Sequence, residues 1–479
     1  MGKQLGITVK KGENFSEWYT QVIQRGELIE YTPVSGCIVY RPRSYFMWEK
    51  FQDWFNKQIK KRGVHNAYFP LLIPESLFKK EAEHVEGFTP EVAWVTMGGN
   101  SKLSERLAVR PTSETIMCDS FKKWVRSHRD LPLKVNQWCN VVRWEFKHPM
   151  PFIRGREYLW QEGHTLFATK EEAEKETYDI LDVYEQAYKE LFAIPVIKGR
   201  KSESEKFAGA LYTLGVEAFV PSGKNAQAAT THCLGQHFTK AFDINFLDQE
   251  GEKKYPYHNS WGFSTRSIGI CIMMHSDDNG LVLPPRVAPT QVVIVPIFTE
   301  KTQAQVLKKA QKVKNSLKKF LTELDDRPEY TPGWKFNEWE LKGVPVRIEL
   351  GPKDLAKKQA IVVRRDTGKK EAVKIKDLPK TVENLLEQIQ EDLYKKAKKF
   401  LDESIIDAKN WTEFIKAIKV KKLARAPWCE TKDCEDWIKD KSGGAKCITI
   451  PFDQPKNIKA KCIHCGKPAK VIAYFGRSY

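Results

Sequence analysis

The chain has 479 residues, enough for two or three domains of ordinary size. Its 41% hydrophobic and 29% charged residues are typical of a globular protein and exclude a largely disordered one. The 79 Lys and Arg against 61 Asp and Glu give a net charge of +18, which suits either a polyanionic partner such as nucleic acid or a solubilising surface. Because no apolar run approaches the length of a membrane span and the N-terminus has no apolar signal core, we expect a cytoplasmic protein without membrane contact.

The first elements are two amphipathic helices. Apolar side chains recur with helical spacing over residues 15–23 and again over residues 47–59. After Gly63, residues 67–69 are typical of a strand, and Pro70 ends it. Strand-length apolar runs then follow, separated by polar or glycine-containing connections, at residues 135–142, 158–167, 242–246 and 268–274. This succession predicts a large antiparallel sheet with added helices.

A connector with three prolines at residues 283–289 marks the next boundary. Beyond it come a strand at residues 291–298, a helix with apolar positions from Val306 to Leu324 and a lysine-rich outer face, further strands, and a helix at residues 381–401. This alternation predicts a mixed or parallel α/β sheet. The predicted domains are residues 1–285, 286–402 and 403–479.

The last of these regions is rich in cysteine. In a reducing compartment cysteines are thiols or metal ligands, and five of the ten fall between Cys429 and Cys465. Cys429 and Cys434 form one close couple, and Cys462 and Cys465 form another. Four soft ligands in two couples predict a structural Zn²⁺ site without an open position, in which Cys447 or His464 could replace one ligand. The alternative is four reduced thiols without metal.

Two arginine-bearing segments have the features of a catalytic site. Residues 141–146 alternate so that Arg143 and Glu145 share one face of a strand. On the strand that returns after a polar loop, the residues sharing a face are Tyr158, Trp160, Glu162 and His164. An arginine fork on such a hairpin can neutralise a phosphate, although a structural ion pair with Glu145 or Glu162 is the simpler interpretation.

The second arginine, Arg266, lies where the strand-like run of residues 259–265 enters an apolar helix, and Gly262 permits close backbone approach. The segments RWE at 143–145, REYLWQEGH at 156–164 and SWGFSTRSIGI at 260–270 resemble the second and third motifs of class II aminoacyl-tRNA synthetases. Together with RPTSE at 110–114, QAATTH at 227–232 and the terminal FGRSY, the chain resembles the prolyl-tRNA synthetases of archaeal and eukaryotic type over nearly its whole length.

The resemblance implies a multidomain α/β fold: a class II antiparallel sheet with helices, an α/β anticodon-binding domain and a small α/β zinc-binding C-terminal domain. It implies activation of L-proline with ATP and Mg²⁺ to prolyl-adenylate, followed by transfer to the 3′ end of tRNA(Pro), and no role for DNA. The helix–strand–proline signal near Pro70 resembles the first class II motif and implies a homodimer. Only 65 positions separate Glu162 from Gln227, too few for the editing insertion of bacterial members.

The resemblance also assigns residues. Arg143 and Arg266 are the expected catalytic residues, on the α-phosphate and the γ-phosphate. The ATP-binding set is Arg143, Glu145, Arg154, Gln227, Thr230, Ser264 and Arg266. The proline-binding set is Phe88, Thr112, Glu114, Arg143, Trp160, Glu162, His164 and His232. The expected anticodon readers are Glu349, Lys353 and Arg364, and the C-terminal carboxylate of Tyr479 is expected to reach toward the active site rather than fray.

Two other functions fit part of this pattern. A related class II synthetase for threonine, serine or histidine would share the ATP motifs, but the TSE and WQEGH runs at 112–114 and 160–164 favour proline. A non-catalytic RNA-binding paralogue would keep the basic surface and lose the phosphate-binding side chains, whereas Arg143, Glu145 and Arg266 are all present.

Overall fold

The computed structural model describes residues 6–82, 91–145 and 148–479. The first region is an α/β assembly with the elements α1 Phe15–Arg25, β1 Ile29–Tyr31, β2 Ile38–Tyr40, α2 Pro42–Lys60, β3 His65–Asn66, β4 Leu72–Pro74, α3 Glu75–Ala82, β5 Trp94–Gly98, β6 Ser101–Val109, α4 Glu114–Trp124, β7 Leu133–Val142, β8 Glu157–Phe167, α5 Lys170–Glu190, β9 Ile197–Arg200, β10 Tyr212–Val220, β11 Lys224–Gly235, α6 His237–Ala241, β12 Phe246–Leu247, β13 Lys253–Lys254, β14 Tyr257–Ser264 and α7 Arg266–His275. The predicted helices at 15–23 and 47–59 are confirmed as α1 and α2.

The main sheet of this region has the strand order β3-β7-β8-β14-β11-β10-β9 and is antiparallel except at the β3–β7 edge. Its inner face packs on aromatic side chains of α2 and α5, with the rings of Phe51 and Phe263 stacked at a centroid distance of 3.8 Å. Gly163 on β8 makes room for a tryptophan of the neighbouring strand, since a Cβ there would lie 2.1 Å from the Trp261 ring. The predicted antiparallel sheet is therefore confirmed.

Three short segments differ from the prediction. Residues 67–69 are not a strand, because the Phe69 amide is taken by the Gln137 side chain at 2.5 Å instead of by a neighbouring strand. Of residues 242–246, only Phe246 lies in a strand, the short β12. The run 268–274 is not a strand of the sheet but belongs to helix α7, which confirms the apolar helix predicted to follow residues 259–265.

The second region contains β15 Val292–Pro296, α8 Gln303–Ser316, β16 Thr322–Leu324, α9 Pro332–Leu341, β17 Val346–Leu350, α10 Pro352–Ala356, β18 Gln359–Arg364, β19 Lys370–Lys374 and α11 Leu378–Glu403. The sheet order is β16-β15-β17-β18-β19, with parallel pairing around β15 and antiparallel pairing beyond β17, which confirms the predicted mixed sheet. Helix α8 ends before Leu324 because the chain turns back at Leu317, whose carbonyl accepts from the Phe320 amide at 2.9 Å.

The third region contains β20 Ile405–Asp407, α12 Trp411–Lys419, β21 Leu423–Trp428, α13 Lys432–Lys441, β22 Lys446–Pro451 and β23 Val471–Gly476. Its four strands continue the main sheet, because β22 pairs with β9 through the register Ile450↔Arg200. Gly199 permits this junction, since a Cβ there would lie 2.3 Å from the Ile450 carbonyl oxygen. Among the residues described, the joined sheet has eleven strands. Over the same residues, no helix combines the length and the apolar composition that crossing a membrane requires.

Candidate active site

One cavity of about 520 Å³ lies over the middle of the main sheet. It gathers every predicted ATP-binding and proline-binding residue that the structure describes: Thr112, Glu114, Arg143, Glu145, Arg154, Trp160, Glu162, His164, Gln227, Thr230, His232, Ser264 and Arg266. Phe88 lies outside the described residues. The predicted residues are thus brought together from segments spread over more than 150 positions.

Strand alternation and register produce this grouping. Trp160, Glu162 and His164 leave the same face of β8, as the period of two requires. Opposite them on β14 lie Ser264, Gly262 and Ser260 in register. Strand β11 continues the same face, with Thr230 paired to Gly262 and His232 paired to Ser260.

Strand β7 ends at Val142, so Arg143 is the first residue after the strand and not part of it, contrary to the prediction. Its backbone amide still donates to the Arg156 carbonyl at 2.7 Å. Its Nε donates to the Pro111 carbonyl at 3.0 Å, and its guanidinium lies 5.7 Å from the ring centroids of Tyr158 and Trp160. Burial opposes its charge, but Tyr158 and nearby carboxylates keep the pKa of Arg143 above its usual value. Within the described part of the chain it forms no ion pair with Glu145 or Glu162, so the simpler interpretation does not hold here.

Arg266 begins α7 and is also held by carbonyl groups. Its Nε donates to the Ile153 carbonyl at 3.1 Å and its Nη1 to the Gln227 carbonyl at 3.0 Å. Burial lowers its pKa, although an arginine remains charged at any physiological pH. Because neutral carbonyls orient both arginines without cancelling their charge, the cavity carries two cations suited to an anionic ligand.

Glu162 is a buried anion in the same cavity. It accepts hydrogen bonds from the Ser113 amide at 3.2 Å, from Gln137 Nε2 at 3.2 Å, and from the Ser113 hydroxyl. Burial alone would raise its pKa, but hydrogen bonding and charge from His164, with the Ser113 and Gln137 bonds, lower the pKa below its usual value. The Thr112 hydroxyl donates to a second carboxylate, Glu114, beside it.

His232 lines the same cavity as a neutral group. Its Nδ1 lies 2.9 Å from the Thr213 hydroxyl and its Nε2 lies 3.0 Å from the Thr230 hydroxyl. Burial, with smaller contributions from His164 and Arg143, lowers its pKa to about 3. The pocket therefore presents carboxylates, the Trp160 ring and an uncharged imidazole, a set suited to a small cation with an apolar body.

Comparison with known proteins agrees with this site. The family described as "tRNA synthetase class II core domain (G, H, P, S and T)" matches residues 94–275, "Anticodon binding domain" matches 291–385, and "Prolyl-tRNA synthetase, C-terminal" matches 411–479. The cytoplasmic proline–tRNA ligase of Arabidopsis thaliana is 50% identical over 99% of this chain and 91% of that protein, and the proline–tRNA ligase of Alkaliphilus oremlandii is 53% identical over 97% and 96%. The chain belongs to the proline–tRNA ligase family.

A solved proline–tRNA ligase supports the same conclusion for the fold. The crystal structure of prolyl-tRNA synthetase from Cryptosporidium parvum, complexed with halofuginone and AMPPNP, superposes with a TM-score of 0.95 at 49% identity, over 99% of this chain and 100% of that one. The class II fold and the aminoacyl-tRNA ligase activity predicted from the sequence are confirmed. As a class II synthetase, the enzyme uses ATP and Mg²⁺.

Several cavity residues of this proline–tRNA ligase were missed in the sequence. Lys201 and Glu217 form a buried ion pair at 2.5 Å, and Asn225 donates to the same carboxylate. A signal was present for Glu217, which is a lone charge in the otherwise apolar strand β10. Cys139 does not line the cavity but accepts from Trp160 Nε1 at 3.2 Å, a contact that depends on the β7–β8 register and leaves no mark in the sequence.

The C-terminus is docked rather than frayed. Tyr479 lines the cavity, its amide donates to the Asn225 carbonyl at 3.0 Å, and its hydroxyl donates to Ser222 at 2.7 Å. These bonds hold the chain end against the rim of the cavity, and the role expected for its carboxylate stays a prediction.

The four predicted metal ligands also come together. One Sγ from each of Cys429, Cys434, Cys462 and Cys465 lies within 4.8 Å of the others. His464 approaches this cluster, with Nδ1 3.2 Å from the Cys434 sulfur, whereas Cys447 is not part of it. Burial would raise the pKa of Cys429, but hydrogen bonds from Thr431 and Cys434 lower it, whereas burial raises the pKa of Cys434 and of Cys462, so without a metal the thiols of this cluster do not ionise together.

The three predicted anticodon residues do not form one cluster. Arg364 is in register with Val346 while Glu349 is in register with Ile361, so the side chains of Glu349 and Arg364 leave opposite faces of the sheet. Glu349 pairs with Arg347 at 2.9 Å on one face. On the other face, Arg364 pairs with Asp366 at 2.7 Å and with Asp392 of α11 at 2.8 Å. Lys353 is exposed on α10.

Proposed function

We propose that the cavity activates L-proline with ATP and then transfers the prolyl group to the 3′ end of tRNA(Pro). The observation that carries this proposal is the coexistence of two arginines with uncancelled charge and a buried ionised glutamate in one cavity. The arginines suit the phosphates, and the glutamate suits the secondary ammonium of proline.

In the first step a proline carboxylate oxygen attacks the α-phosphorus and pyrophosphate leaves. Both partners are anionic, so Arg143 stabilises the transition state by attracting the two together, and Arg266 holds the γ-phosphate. Glu145, Arg154, Gln227, Thr230 and Ser264 complete the ATP site. In the second step a terminal ribose hydroxyl of the tRNA attacks the prolyl carbonyl carbon and AMP leaves.

Proline is held by the remaining residues. Glu114 and Glu162 accept hydrogen bonds from the secondary ammonium, Trp160 provides a flat apolar wall, and His232 remains uncharged. Thr112 orients the Glu114 carboxylate and His164 orients the Glu162 carboxylate through hydrogen bonds. Phe88 belongs to this set by resemblance alone.

Glu217 is a fully buried carboxylate at the wall of the cavity. Its Oε1 lies 2.5 Å from Lys201 Nζ and its Oε2 accepts from Asn225, so Mg²⁺ would bind Glu217 only by displacing one of these partners. A carboxylate oxygen is the ligand that Mg²⁺ prefers, and the ion supplies further neutralisation of the phosphates when bound.

We propose a structural Zn²⁺ on Cys429, Cys434, Cys462 and Cys465, because four clustered thiols are a complete donor set for tetrahedral zinc. The test is metal analysis of freshly purified protein. We expect about one zinc per chain, with loss of that zinc in Cys465→Ser. Cys37→Ser, which changes a cysteine outside the cluster, should keep it. A wild-type protein that contains no metal would contradict the proposal.

The remaining proposals concern organisation. We propose domains at residues 1–285, 286–402 and 403–479, anticodon reading by Glu349, Lys353 and Arg364, and the absence of an editing domain in this chain. The absence of an editing domain is supported by residues 163–226, which are occupied by α5, β9 and β10 of the catalytic core.

We propose a homodimer, tested by light scattering for twice the 55.4 kDa chain mass. A cytoplasmic location is supported by the name of the Arabidopsis relative.

The function is tested by pyrophosphate exchange with proline, cysteine, alanine and threonine, each supplied alone with ATP. We expect exchange that depends most strongly on proline, with weak exchange for alanine because apolar pockets discriminate small differences by only about 1–3 kcal/mol. Preferred exchange with threonine would assign the chain to a different substrate.

A further inference from the structure

Helix α7 connects the proposed ATP site to the second region. It begins at Arg266, whose guanidinium lies in the cavity, and all of its other residues from Ser267 to His275 are buried. Ten residues of α-helix span about 15 Å. A displacement at the far end of so tightly packed a helix is therefore transmitted to Arg266, since a close-packed interior cannot absorb it locally.

The far end of α7 is joined to the second region by an ion pair, beside an Asn279–Glu340 hydrogen bond of 3.1 Å and a Leu281–Leu341 backbone bond of 3.0 Å. Two residues beyond the helix, Asp277 accepts a bidentate fork from Arg365, with Nη1–Oδ2 and Nη2–Oδ1 distances of 2.8 and 2.7 Å. The Arg365 side chain is 5% exposed. Burial alone would raise the pKa of Asp277, but Arg365 lowers it, so the carboxylate remains ionised.

Both partners are held rigidly by their own neighbours. The Asp277 carbonyl accepts from Trp18 Nε1 at 2.8 Å, and its Oδ1 accepts from the Asn279 amide at 2.9 Å. Arg365 donates from Nε to the Glu340 carbonyl at 2.8 Å and from its amide to the Pro345 carbonyl at 2.9 Å. The pair thus joins a buried arginine to a carboxylate that is 41% exposed but held in place by these neighbours.

Arg365 also adjoins a proposed tRNA contact. Its sequence neighbour Arg364 is the last residue of β18 and is one of the proposed anticodon readers. Consecutive residues at the end of a strand point to opposite sides, so Arg364 faces α11 while Arg365 reaches Asp277. A shift of β18 on tRNA binding would move both side chains together.

We propose that the Asp277–Arg365 pair positions α7, and through it Arg266, in response to tRNA bound at the second region. The proposal rests on the proposed roles of Arg266 and Arg364. The pair touches neither ATP nor proline, so it is a positioning element for the tRNA-dependent reaction. It predicts that proline activation without tRNA is independent of the pair, whereas aminoacylation depends on it.

The test uses the full-length protein with Asp277→Asn, Arg365→Gln and the double variant. Glu387→Gln is the matched control, because it removes a 2.8 Å ion pair to Arg286 that also joins the connector to the second region but is exposed on both sides. Proline-dependent pyrophosphate exchange without tRNA should stay within about twofold of wild type in all four. Aminoacylation kcat/KM should fall about tenfold, within the usual range of coupling between sites, in the three pair variants only, and the double variant should be no worse than the singles.

A binding measurement separates coupling from a structural defect. By reciprocity, a non-hydrolysable ATP analogue that retains the γ-phosphate and changes the Kd for tRNA in the wild type should no longer change it in the pair variants. Equal losses of exchange and aminoacylation, or unchanged aminoacylation, would overturn the proposal. A wild type without proline-dependent exchange would instead refute the proposed function itself, so the two failures are distinguishable.

Discussion

The catalytic cavity and the second region use arginine in opposite ways. In the cavity, Arg143 and Arg266 are oriented by backbone carbonyls, which leave the positive charge available to a ligand. In the second region, Arg364 is held by two carboxylates, which cancel its charge. The same side chain therefore keeps its charge available to an anion in one place and is neutralised by carboxylates in the other, where the proposed anticodon contact of Arg364 has to compete with Asp366 and Asp392.

The difference suggests a general criterion for assigning arginines. A sequence motif identifies the residue type but not the partner that occupies it in the folded chain. Where the partner is neutral, the desolvated charge is stabilised only when an anion binds, and function is the expected consequence. Where the partners are carboxylates, loss of the arginine leaves buried negative charge, so reduced stability is the expected consequence.

The largest effect is expected for Arg143→Ala. Removing an electrostatic contact made in the transition state should lower proline-dependent pyrophosphate exchange by about a hundredfold or more. Arg143→Lys keeps the charge without the planar fork and should give an intermediate loss. The control is Arg156→Ala on the same hairpin, since that guanidinium lies over the exposed Trp144 ring rather than in the cavity.

Near-normal exchange by Arg143→Ala would contradict the catalytic role proposed for Arg143. It would mean that a partly buried arginine with no carboxylate ion pair in the described residues has no catalytic use.

Arg364→Gln tests the other side of the comparison. Asp366, with a side chain 7% exposed, would lose its cation, and we expect about 2 kcal/mol of unfolding free energy to be lost. Proline-dependent exchange should be unchanged below the melting transition. Chemical denaturation gives the stability, and a variant as stable as wild type but defective in aminoacylation would show that Arg364 acts on tRNA directly.

Lys353→Ala is expected to have a smaller effect of a different kind. The side chain is exposed on α10, so its removal should leave stability unchanged. A lost contact to an anticodon base costs about 1–3 kcal/mol, so kcat/KM for tRNA should fall roughly tenfold while exchange stays constant. Lys357→Ala at the end of the same helix is the matched control. Equal effects of the two changes would indicate nonspecific attraction between a basic surface and RNA.

The cavity could be predicted further from the sequence than the second region could. Trp160, Glu162 and His164 share a face because alternate residues of one strand always do, and this needs no knowledge of neighbouring strands. Glu349 and Arg364 lie on separate strands, so their relation depends on a register that no local pattern determines.

Two further features depend on tertiary structure alone. The pairing of β22 with β9 joins residues 250 positions apart, and only the close approach at Gly199 hints at it. Helix α7 is buried on all sides, so its sequence has no polar face and fits a buried strand equally well. In both cases the deciding contact is distant in sequence, whereas the resemblance to a known family supplied the residue roles.

The smallest predicted effect concerns the protonation state of His232 in the cavity. The pKa of His232 is lowered to about 3 by burial, against about 6.5 for an unfolded histidine. Below pH 6.5 this imidazole is therefore protonated in the unfolded chain but not in the folded chain. The free energy of unfolding falls as the pH decreases toward 3, and is nearly constant above 6.5. For this group alone the loss of unfolding free energy between pH 7 and 5.5 is about 1 kcal/mol.

Other buried histidines such as His275, with a pKa of about 4, act in the same direction, so the measurement compares the pH dependence of the wild type with that of a His232 variant. His232→Gln, which can still bond Thr213 and Thr230, should show a pH dependence of unfolding that is smaller by that amount. An identical pH dependence would mean that His232 is protonated in the native protein, and a charged imidazole would then repel the proline ammonium that Glu162 is proposed to attract.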